Sequence, residues 1–286
     1  MRLFRPYRTW STPVVDEERR PVPCALCGGE RFVPSLVCEG YSYVKCAGCA
    51  LVQMNPQPVA ESVKSRYGDD YLSYELENEE NFLELQLRGL ADAGFYRMER
   101  ELMERKGSPR VLDVGCATGT LLAFLKGRNW QATGVEISPA AEYAGKERGL
   151  DVRRMGVEEC RFPDGFFDLV LASHLIEHLN RPGDFIREVR RILCPGGYFL
   201  VTTQNIDGFQ ARLLGNRWRG AIFDHLYIFS TRTLGEMLKA AGFVPEGVYT
   251  WGGLARGMAP LPLKRIADKA AKLFGVGDVM LIKARK

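Results

Sequence analysis

Short apolar runs alternate with segments of helical periodicity over the second half of the chain. Runs suited to buried strands lie at residues 111–114, 132–135, 167–172 and 198–203. Between them apolar residues recur at every third or fourth position, as in 185–193, which predicts amphipathic helices. Strands that alternate with helices form a parallel sheet with helices on both faces. The pattern therefore predicts an α/β, doubly wound fold with its ligand crevice at the carboxyl ends of the strands.

The chain divides into three predicted parts. Residues 1–55 contain two Cys-x-x-Cys pairs, and a rigid Asn-Pro-Gln-Pro turn at residues 55–58 leads into residues 56–106. This second part continues as one predicted helix over about 77–106, with an interruption near Gly89. We expect residues 56–106 to act as a linker or lid. Residues 107–286 hold the alternating pattern and form the predicted ligand-binding domain.

Charge and hydropathy limit the classes of partner. The 286 residues include 39 Lys and Arg against 35 Asp and Glu, and a net charge of +4 is too balanced to imply a polyanionic partner. The hydrophobic share of 46% is enough for a sizeable core. No apolar run approaches the roughly 20 residues that span a bilayer. The first residues lack the apolar core of a signal peptide, so we expect a cytoplasmic protein.

The junction after the first strand carries the most informative motif. Asp113-Val-Gly115-Cys-Ala-Thr-Gly119 leads directly into a predicted helix, and its glycines let backbone approach a ligand closely. A dinucleotide fingerprint would place pyrophosphate at this helix N-terminus. Asp113, two positions before the first glycine, would repel a phosphate and attract an ammonium group. The motif predicts a nucleoside that carries an amino acid rather than a dinucleotide.

Further motifs follow in a consistent order. Glu136 ends the second strand, 23 residues beyond Asp113, where a parallel sheet places a carboxylate for ribose hydroxyls. Phe167-Asp-Leu-Val opens the fourth strand, and Pro195-Gly-Gly precedes the fifth. Together these motifs resemble those of the class I S-adenosylmethionine-dependent methyltransferases, over about residues 85–286. The resemblance implies a seven-stranded, Rossmann-like methyltransferase sheet that binds S-adenosyl-L-methionine.

The resemblance also implies the cofactor contacts. Asp113 would neutralise the methionine ammonium, Glu136 would hold the ribose hydroxyls, and Ile137 would cover one adenine face. Val157 stands where the family often has Asp, and with Glu158 it would lie at the adenine edge. For Glu158, a solvated loop acid is an equal alternative. The contacts that line the methionine and ribose would come from Gly115, Cys116, Ala117, Gly119, Ser173 and His174.

The N-terminal cysteines have the spacing of a zinc ribbon. Cys24-x-x-Cys27 and Cys46-x-x-Cys49 allow four thiolates to converge on one Zn²⁺. Four cysteines leave no open coordination position, so we predict a structural metal, and disulfides would not suit a cytoplasmic enzyme. Residues 24–49 contain only two basic residues. This scarcity favours a module that packs on the catalytic domain or shapes its entrance over one that grips nucleic acid.

All three histidines of the chain follow the predicted fourth or fifth strand. His174 and His178 are four positions apart, so we predict that they share one face, with Glu177 and His178 at the start of a helix. His174 would line the methionine half of the cofactor. His178 would be either a substrate base or a capping or core histidine.

Asp224 and His225 precede an aromatic Leu-Tyr-Ile-Phe-Ser segment after the fifth strand. This arrangement resembles the Glu-His pair of the deoxysugar C-methyltransferases, which also carry an N-terminal zinc module. The resemblance implies that His225 removes a proton from the substrate. Because neighbours in an extended segment point to opposite faces, Asp224 would orient the loop. The predicted catalytic residues are therefore His225, His178 and Asp224.

These patterns predict a methyltransferase for a small molecule: a sugar, a glycoconjugate or a secondary-metabolite intermediate. A neutral histidine suits an alcohol or an acidic carbon, and we favour O-methylation over C-methylation. The alternative is an RNA-directed methyltransferase or a zinc-ribbon protein that binds nucleic acid. Residues 263–274 form a basic amphipathic segment, which either packs on the substrate pocket or contacts a membrane surface.

Overall fold

The computed structural model describes residues 17–254 and 260–286, so the N-terminal extension before residue 17 lies outside the described residues. The N-terminal part forms β1 (Arg19–Arg20), β2 (Phe32–Cys38), β3 (Tyr41–Cys46), β4 (Val52–Met54) and β5 (Gln57–Pro58). β2, β3 and β4 form an antiparallel sheet, and β1 pairs with β5. We call residues 17–58 the four-cysteine module.

Three helices connect this module to the main sheet: α1 (Ala60–Lys64), α2 (Asp69–Asp92) and α3 (Phe95–Lys106). The predicted helical segment is present, but its start and its interruption differ from the prediction. α2 begins at Asp69, and the break falls at Gly94, whose φ of 72° lies in the left-handed region. Gly89 stays inside α2, where the absence of a Cβ admits the ring of Trp251.

The remaining strands alternate with helices along the chain. The strands are β6 (Arg110–Val114), β7 (Gln131–Val135), β8 (Asp151–Arg153), β9 (Phe167–Ser173), β10 (Leu193–Gln204), β11 (Tyr227–Ile228), β12 (Val244–Trp251) and β13 (Val279–Arg285). The helices are α4 (Thr120–Lys126), α5 (Ala140–Arg148), α6 (Pro182–Ile192), α7 (Phe209–Leu214), α8 (Thr231–Ala240) and α9 (Leu261–Leu273). The main sheet has seven strands in the order β12-β13-β10-β9-β6-β7-β8, with β13 antiparallel to its neighbours. The predicted Rossmann-like fold is confirmed.

The apolar runs of the sequence form the buried strands of this sheet. β9 buries six consecutive residues, 167–172, because elements cover both faces. α6 buries its apolar side chains at helical spacing: Phe185, Ile186, Val189 and Ile192. α4 packs closely on β7, since a Cβ at Gly134 would stand only 2.4 Å from Leu122. The spacing of apolar residues therefore determines which faces pack.

Of the described strands that follow α3, β11 does not join the main sheet. It pairs with β4 of the four-cysteine module, so that Tyr227 lies opposite Gln53 and Ile228 opposite Val52. A single buried cluster contains Tyr43 of the module and Phe223 of the segment before β11. The module and the main sheet therefore share one hydrophobic core.

The C-terminal helix α9 lies between β12 and β13 in the chain and fully buries only Ala271. None of the helices within residues 17–254 and 260–286 has the length and apolar character that a membrane crossing requires.

Candidate active site

The loop from Gly115 to Gly119 forms one side of the crevice at the carboxyl end of β6. Both glycines have left-handed φ angles, 75° and 77°. A Cβ on Gly115 would stand 3.2 Å from Leu175 in the segment after β9, and a Cβ on Gly119 only 2.6 Å from Leu150. The two glycines allow the tight turn that the motif indicates.

Glu136, at the end of β7, is bonded to the same loop. Its Oε2 accepts a hydrogen bond from the N–H of Ala117 at 3.1 Å, and its Oε1 accepts one from the N–H of Ser138 at 2.8 Å. These bonds fix the buried carboxylate at the carboxyl edge of the sheet. The structure therefore places the Glu136 carboxylate beside the glycine loop, and its role as a ribose ligand stays a prediction.

Three acids meet in this part of the crevice. Burial, followed by the charge of Glu136, raises the pKa of Asp113 to about 7. The same two causes raise the pKa of Glu75, on α2, to about 7. A cationic ligand would relieve this repulsion. Sequence reasoning missed Glu75, because the many acids of α2 do not show which one faces the sheet.

α2 lies across the glycine loop and covers part of the crevice. The hydroxyl of Thr118 donates to Oε2 of Glu79 at 3.2 Å, and the guanidinium of Arg148 pairs with the same oxygen at 2.6 Å. Tyr71 is buried on the same helix, and burial, followed by the charge of Glu136, raises its pKa well above the usual value. The contacts of Glu79 hold α2 over the loop.

The residues predicted at the adenine differ in exposure. Ile137 is 37% exposed directly after Glu136, which leaves an apolar surface open to a ring. Val157 is buried, whereas Glu158 is exposed. Cys116 is buried against β7, and burial raises its pKa well above the usual value, so its side chain packs as an apolar group.

His174 and His178 do not share a helical face, so this prediction is wrong. The chain turns at His174, whose φ is 52°, and only residues 176–178 form a 3₁₀ turn before α6 begins at Pro182. The imidazole of His174 is partly exposed, and its Nδ1 lies 3.2 Å from Oε1 of Glu177. His178 is buried.

His178 and His225 meet from separate loops, with ring centroids 4.8 Å apart in an edge-to-face arrangement. Nδ1 of His178 donates to the carbonyl oxygen of Asp224 at 2.9 Å, and Nδ1 of His225 donates to that of Gly220 at 2.8 Å. Because a carbonyl oxygen only accepts hydrogen bonds, each ring carries its proton on Nδ1. Nε2 is therefore the basic nitrogen of both rings.

Burial keeps this pair uncharged. Burial, followed by the neighbouring His225, lowers the pKa of His178 to about 3, and burial lowers the pKa of His225. The buried carboxylate of Glu177 belongs to the same cluster, in which one side-chain atom from each residue lies within 4.8 Å of the others. Burial acts to raise the pKa of Glu177. The hydrogen bond with His174 and the neighbouring histidines outweigh burial, so the pKa of Glu177 lies below its usual range. Sequence reasoning did not assign Glu177 a role.

Nδ1 of His225 bonds to the carbonyl of Gly220, and the carboxylate of Asp224 has a partner elsewhere. That carboxylate pairs with the buried guanidinium of Arg66 at 3.2 Å, and Arg66 pairs with Glu17 at 2.7 Å. The side chain of Asp224 therefore anchors the loop, as predicted, although residues 222–225 form a turn and not the extended segment on which that prediction is based.

Four of the five cysteines of the module converge: Cys24, Cys27, Cys46 and Cys49. The Sγ atoms of Cys24 and Cys49 are 3.3 Å apart, and those of Cys27 and Cys46 are 3.5 Å apart. All four are free thiols and lie within 4.8 Å of one another. Sulfurs bound to Zn²⁺ at about 2.3 Å in a tetrahedron lie roughly 3.8 Å apart. The cluster is therefore compatible with one tetrahedral metal ion.

Comparison with known proteins agrees with this geometry. Residues 86–246, more than half of the chain, match the family model described as a methyltransferase domain. The chain belongs to this family of S-adenosylmethionine-dependent methyltransferases.

Individual relatives cover different parts of the chain. A probable S-adenosylmethionine-dependent methyltransferase of Mycolicibacterium smegmatis is 28% identical over 184 residues, which cover 60% of this chain and 69% of that protein. A ubiquinone biosynthesis O-methyltransferase of Caulobacter sp. is 35% identical over 104 residues, which cover 34% of this chain and 41% of that protein. A solved methyltransferase structure from Thermotoga maritima, described as a possible histamine N-methyltransferase, is 25% identical with a TM-score of 0.50. That match covers 72% of this chain and 97% of the other.

The residues of the crevice fit S-adenosylmethionine. Its sulfonium and ammonium groups outweigh its one carboxylate, so it is a net cation. Asp113 is buried and Glu75 is half-buried, and both have raised pKa values, so a cation would stabilise their charged forms. Glu136 offers carboxylate oxygens at the end of the adjacent strand.

We expect the affinity for S-adenosylmethionine to rise with pH up to about pH 7. Asp113 has a pKa of about 7 in the free protein, and an ammonium beside it favours the charged form. Binding at lower pH therefore expels a proton, and the dissociation constant should fall by up to about tenfold per pH unit. Calorimetry in two buffers of different ionisation enthalpy measures both the constant and the protons released.

Asp113→Asn should bind more weakly and with less dependence on pH. Asp164→Asn, at an exposed acid, serves as the control and should behave like the wild type. The amino group of the ligand titrates at about pH 8, and its contribution to the pH dependence of binding is the same for all variants. An affinity that stays constant between about pH 6 and 7.5 would contradict the role of Asp113.

Proposed function

We propose that this protein transfers the methyl group of S-adenosylmethionine to a small molecule: a sugar, a glycoconjugate or a secondary-metabolite intermediate. The observation that carries the proposal is the buried, neutral pair of His178 and His225 beside the acidic crevice. Tyr67 interacts with both regions: its ring is 6.2 Å from that of His178, and burial, followed by the charges of Asp224 and Glu136, raises its pKa well above the usual value. A site this enclosed suits a small acceptor, whereas a nucleic acid needs an open basic surface.

The residues of this chain position the acceptor and remove its proton. The sulfonium supplies an activated methyl carbon, so the protein must mainly align the attacking atom. Nε2 of His225 accepts the proton, because the carbonyl of Gly220 keeps the ring proton on Nδ1. The carboxylate of Glu177 stabilises the imidazolium that forms. The lowered pKa of His225 then favours release of the proton and restores the neutral base.

A hydroxyl oxygen suits this base better than a carbon. A histidine with a lowered pKa is a weak base, and it removes a hydroxyl proton as that proton becomes acidic during the attack on the methyl carbon. A C–H group next to a ketone is a weaker acid than a hydroxyl group, so removal of its proton by this base would need a site that stabilises the enolate. The Caulobacter relative is an O-methyltransferase, which supports the same choice. C-methylation, as in the deoxysugar methyltransferases that the Asp224-His225 segment resembles, is the alternative.

A labelling screen tests the proposal. The protein is incubated with methyl-labelled S-adenosylmethionine and, separately, with phenols, hydroxylated sugar nucleotides, a ketosugar and total RNA. We expect label on the oxygen of a small hydroxylated acceptor. Label on carbon of the ketosugar would correct the methylated atom. Label in RNA alone, with salt-dependent RNA affinity, would favour the RNA-directed alternative.

We expect His225→Ala to lower turnover of the acceptor found in that screen by roughly 10²–10⁴-fold, the usual contribution of a general base. Cofactor affinity, measured by calorimetry, should be nearly unchanged. His178→Ala should have a smaller effect or act mainly on acceptor affinity. Full turnover in His225→Ala together with loss in His178→Ala would exchange the two roles. No effect in either variant would mean that transfer depends on proximity alone.

The second proposal concerns metal in the four-cysteine module. We propose that Cys24, Cys27, Cys46 and Cys49 form a zinc ribbon with one structural Zn²⁺. Retention of four thiolates requires a reducing compartment, which supports the cytoplasm as the location.

We expect about one zinc per chain in reduced, unchelated protein, measured by elemental analysis. Cys46→Ser should lose zinc and melt at a lower temperature, because metal binding and folding of the module are coupled. Cys194→Ser removes a thiol outside the cluster and should keep the metal. Negligible metal in the wild type would refute the zinc ribbon.

A further inference from the structure

The loop that carries the proposed base is held by the four-cysteine module. We refer to residues 220–226 as the histidine loop. The hydroxyl of Tyr43, on β3, lies 2.6 Å from the carbonyl oxygen of Ile222 and 2.6 Å from that of His225. The N–H of His225 also donates to the carbonyl of Ile222 at 3.1 Å, which closes a turn. One hydroxyl group therefore contacts both ends of this turn.

Burial makes Tyr43 a permanent donor. The residue is 1% exposed, and burial raises its pKa well above the usual value, so the hydroxyl keeps its hydrogen at physiological pH. The hydroxyl has one hydrogen, which the two carbonyl oxygens share. Without it, both oxygens would lose a partner inside the core, which is costly.

Other contacts join the same two parts. Sγ of Cys38 donates to the carbonyl of Ala221 at 2.8 Å, so this cysteine has a role that sequence analysis does not indicate. The N–H of Met54 donates to the carbonyl of Leu226 at 2.8 Å. The N–H of Leu226 in turn donates to the carbonyl of Glu177 at 2.7 Å. The module therefore holds both ends of the histidine loop.

We propose that Tyr43 is a positioning residue that sets the orientation of His225. The inference rests on the proposed role of His225 as the base. Tyr43 fixes the turn between Ile222 and His225, and the fixed turn keeps Nδ1 of His225 on the carbonyl of Gly220. Nε2 then points in one direction with the lone pair available. The four-cysteine module thus acts on the reaction through the backbone, without contact with the acceptor.

Tyr43→Phe tests this directly, because it removes the hydroxyl and keeps the ring. The chain has three histidines, so nitrogen–proton spectra of the imidazoles contain three ring systems, and His225→Gln identifies that of His225. We expect the variant to show a mixture of ring tautomers at His225 and a pKa closer to about 6.5. Turnover should fall roughly 10–100-fold, as for other small misplacements, while cofactor affinity stays within about twofold.

Tyr41→Phe is the matched control. Tyr41 lies two positions away on the same strand and is equally buried, with its ring 5.7 Å from that of Phe223, but no described hydrogen bond joins its hydroxyl to the histidine loop. We expect wild-type spectra and turnover. A Tyr43→Phe protein with the wild-type His225 spectrum would overturn the inference. Failure of the wild type to bind S-adenosylmethionine would instead overturn the proposed function and leave the spectral result intact.

A second variant covers the case in which Tyr43→Phe does not fold. Cys38→Ala removes the bond to the carbonyl of Ala221 and should shift the His225 signals in the same direction by a smaller amount. His174 lies outside the loop, and its signals should stay unchanged. Unchanged His225 signals in a folded Cys38→Ala protein would also overturn the inference.

A separate observation concerns α9, which exposes apolar side chains to solvent. Their exposed fractions are 65% for Leu261, 54% for Leu263, 64% for Ile266, 80% for Leu273 and 73% for Phe274. Ile266 and Leu273 are seven positions apart and share one face, nearly opposite the buried Ala271. On α7, Phe209 and Leu213 are also exposed, and the N–H of Phe209 bonds to the carbonyl of Val276 just after α9. An apolar patch of this kind marks an interaction site.

The geometry points to an anionic membrane surface as the partner of this patch. Arg265 and Lys269 are exposed and flank the apolar face, and Lys272, also exposed, pairs with Asp92 at 2.6 Å. Asp268, the acid of the helix, is already bonded to Lys264 at 2.5 Å. An apolar face beside a basic flank is typical of helices that lie in a membrane interface. If a second copy of this chain covered the patch through its own α9, the two basic flanks would repel each other. Any other contact would need acidic residues of the second copy opposite the basic flank.

Sedimentation with vesicles tests the assignment. We expect the protein to bind phosphatidylglycerol–phosphatidylcholine vesicles at low salt and to bind pure phosphatidylcholine at least about tenfold more weakly. Leu273→Asp and Lys269→Glu should each weaken binding several-fold, whereas Val244→Asp, at an equally exposed apolar residue on β12, should not. Absence of binding to anionic vesicles would overturn the assignment. Self-association that Leu273→Asp abolishes, without vesicle binding, would identify a second copy as the partner.

Discussion

The pairing of β4 with β11 is the interaction on which the arrangement of the site depends. The two strands have three and two residues, and ladders this short are not stable alone. They persist because the side chains beneath them, including Tyr43 and Phe223, belong to one buried core. The pairing places the four-cysteine module directly against the loop that carries His225. The module is therefore part of the construction of the crevice.

Burial divides the crevice into two electrostatic halves. It disfavours charge, so it raises the pKa of the acids Asp113 and Glu75 and lowers that of the bases His178 and His225. The acidic half attracts a cationic cofactor, and the histidine half keeps an uncharged base. S-adenosylhomocysteine lacks the sulfonium charge, so the acidic half attracts the product less than the cofactor. In the proposed reaction, one physical effect thus serves binding, proton transfer and product release.

The placement of Asp113 and Glu136 at the carboxyl edge of the sheet could be predicted because each lies at the end of a strand or directly after one. Asp113 and Glu136 reach the crevice through their position in a strand and turn, and a parallel sheet brings such ends together. Glu75 could not be predicted in the same way. It lies on a helix with many acids, and only the packing of α2 on the sheet decides which of them is buried. The interruption at Gly94 rather than Gly89 has a similar cause, since Trp251, distant in sequence, occupies the space beside Gly89.

The sequence by itself determined the doubly wound sheet, the cysteine cluster and the three histidines that follow its strands, because local spacing and strand order specify them. It did not determine that His174 and His178 face different neighbours, since the left-handed turn at His174 depends on the chain around it. Only the tertiary structure decided that Asp224 pairs with Arg66 and that Tyr43 contacts the turn of His225. Asp224 and Arg66 are 158 positions apart in the sequence, and Tyr43 and His225 are 182 positions apart. The physical reason is that a buried polar group needs a hydrogen-bonding partner, and the packing of the whole core decides which group lies close enough. The sequence pattern indicates only which polar groups are present.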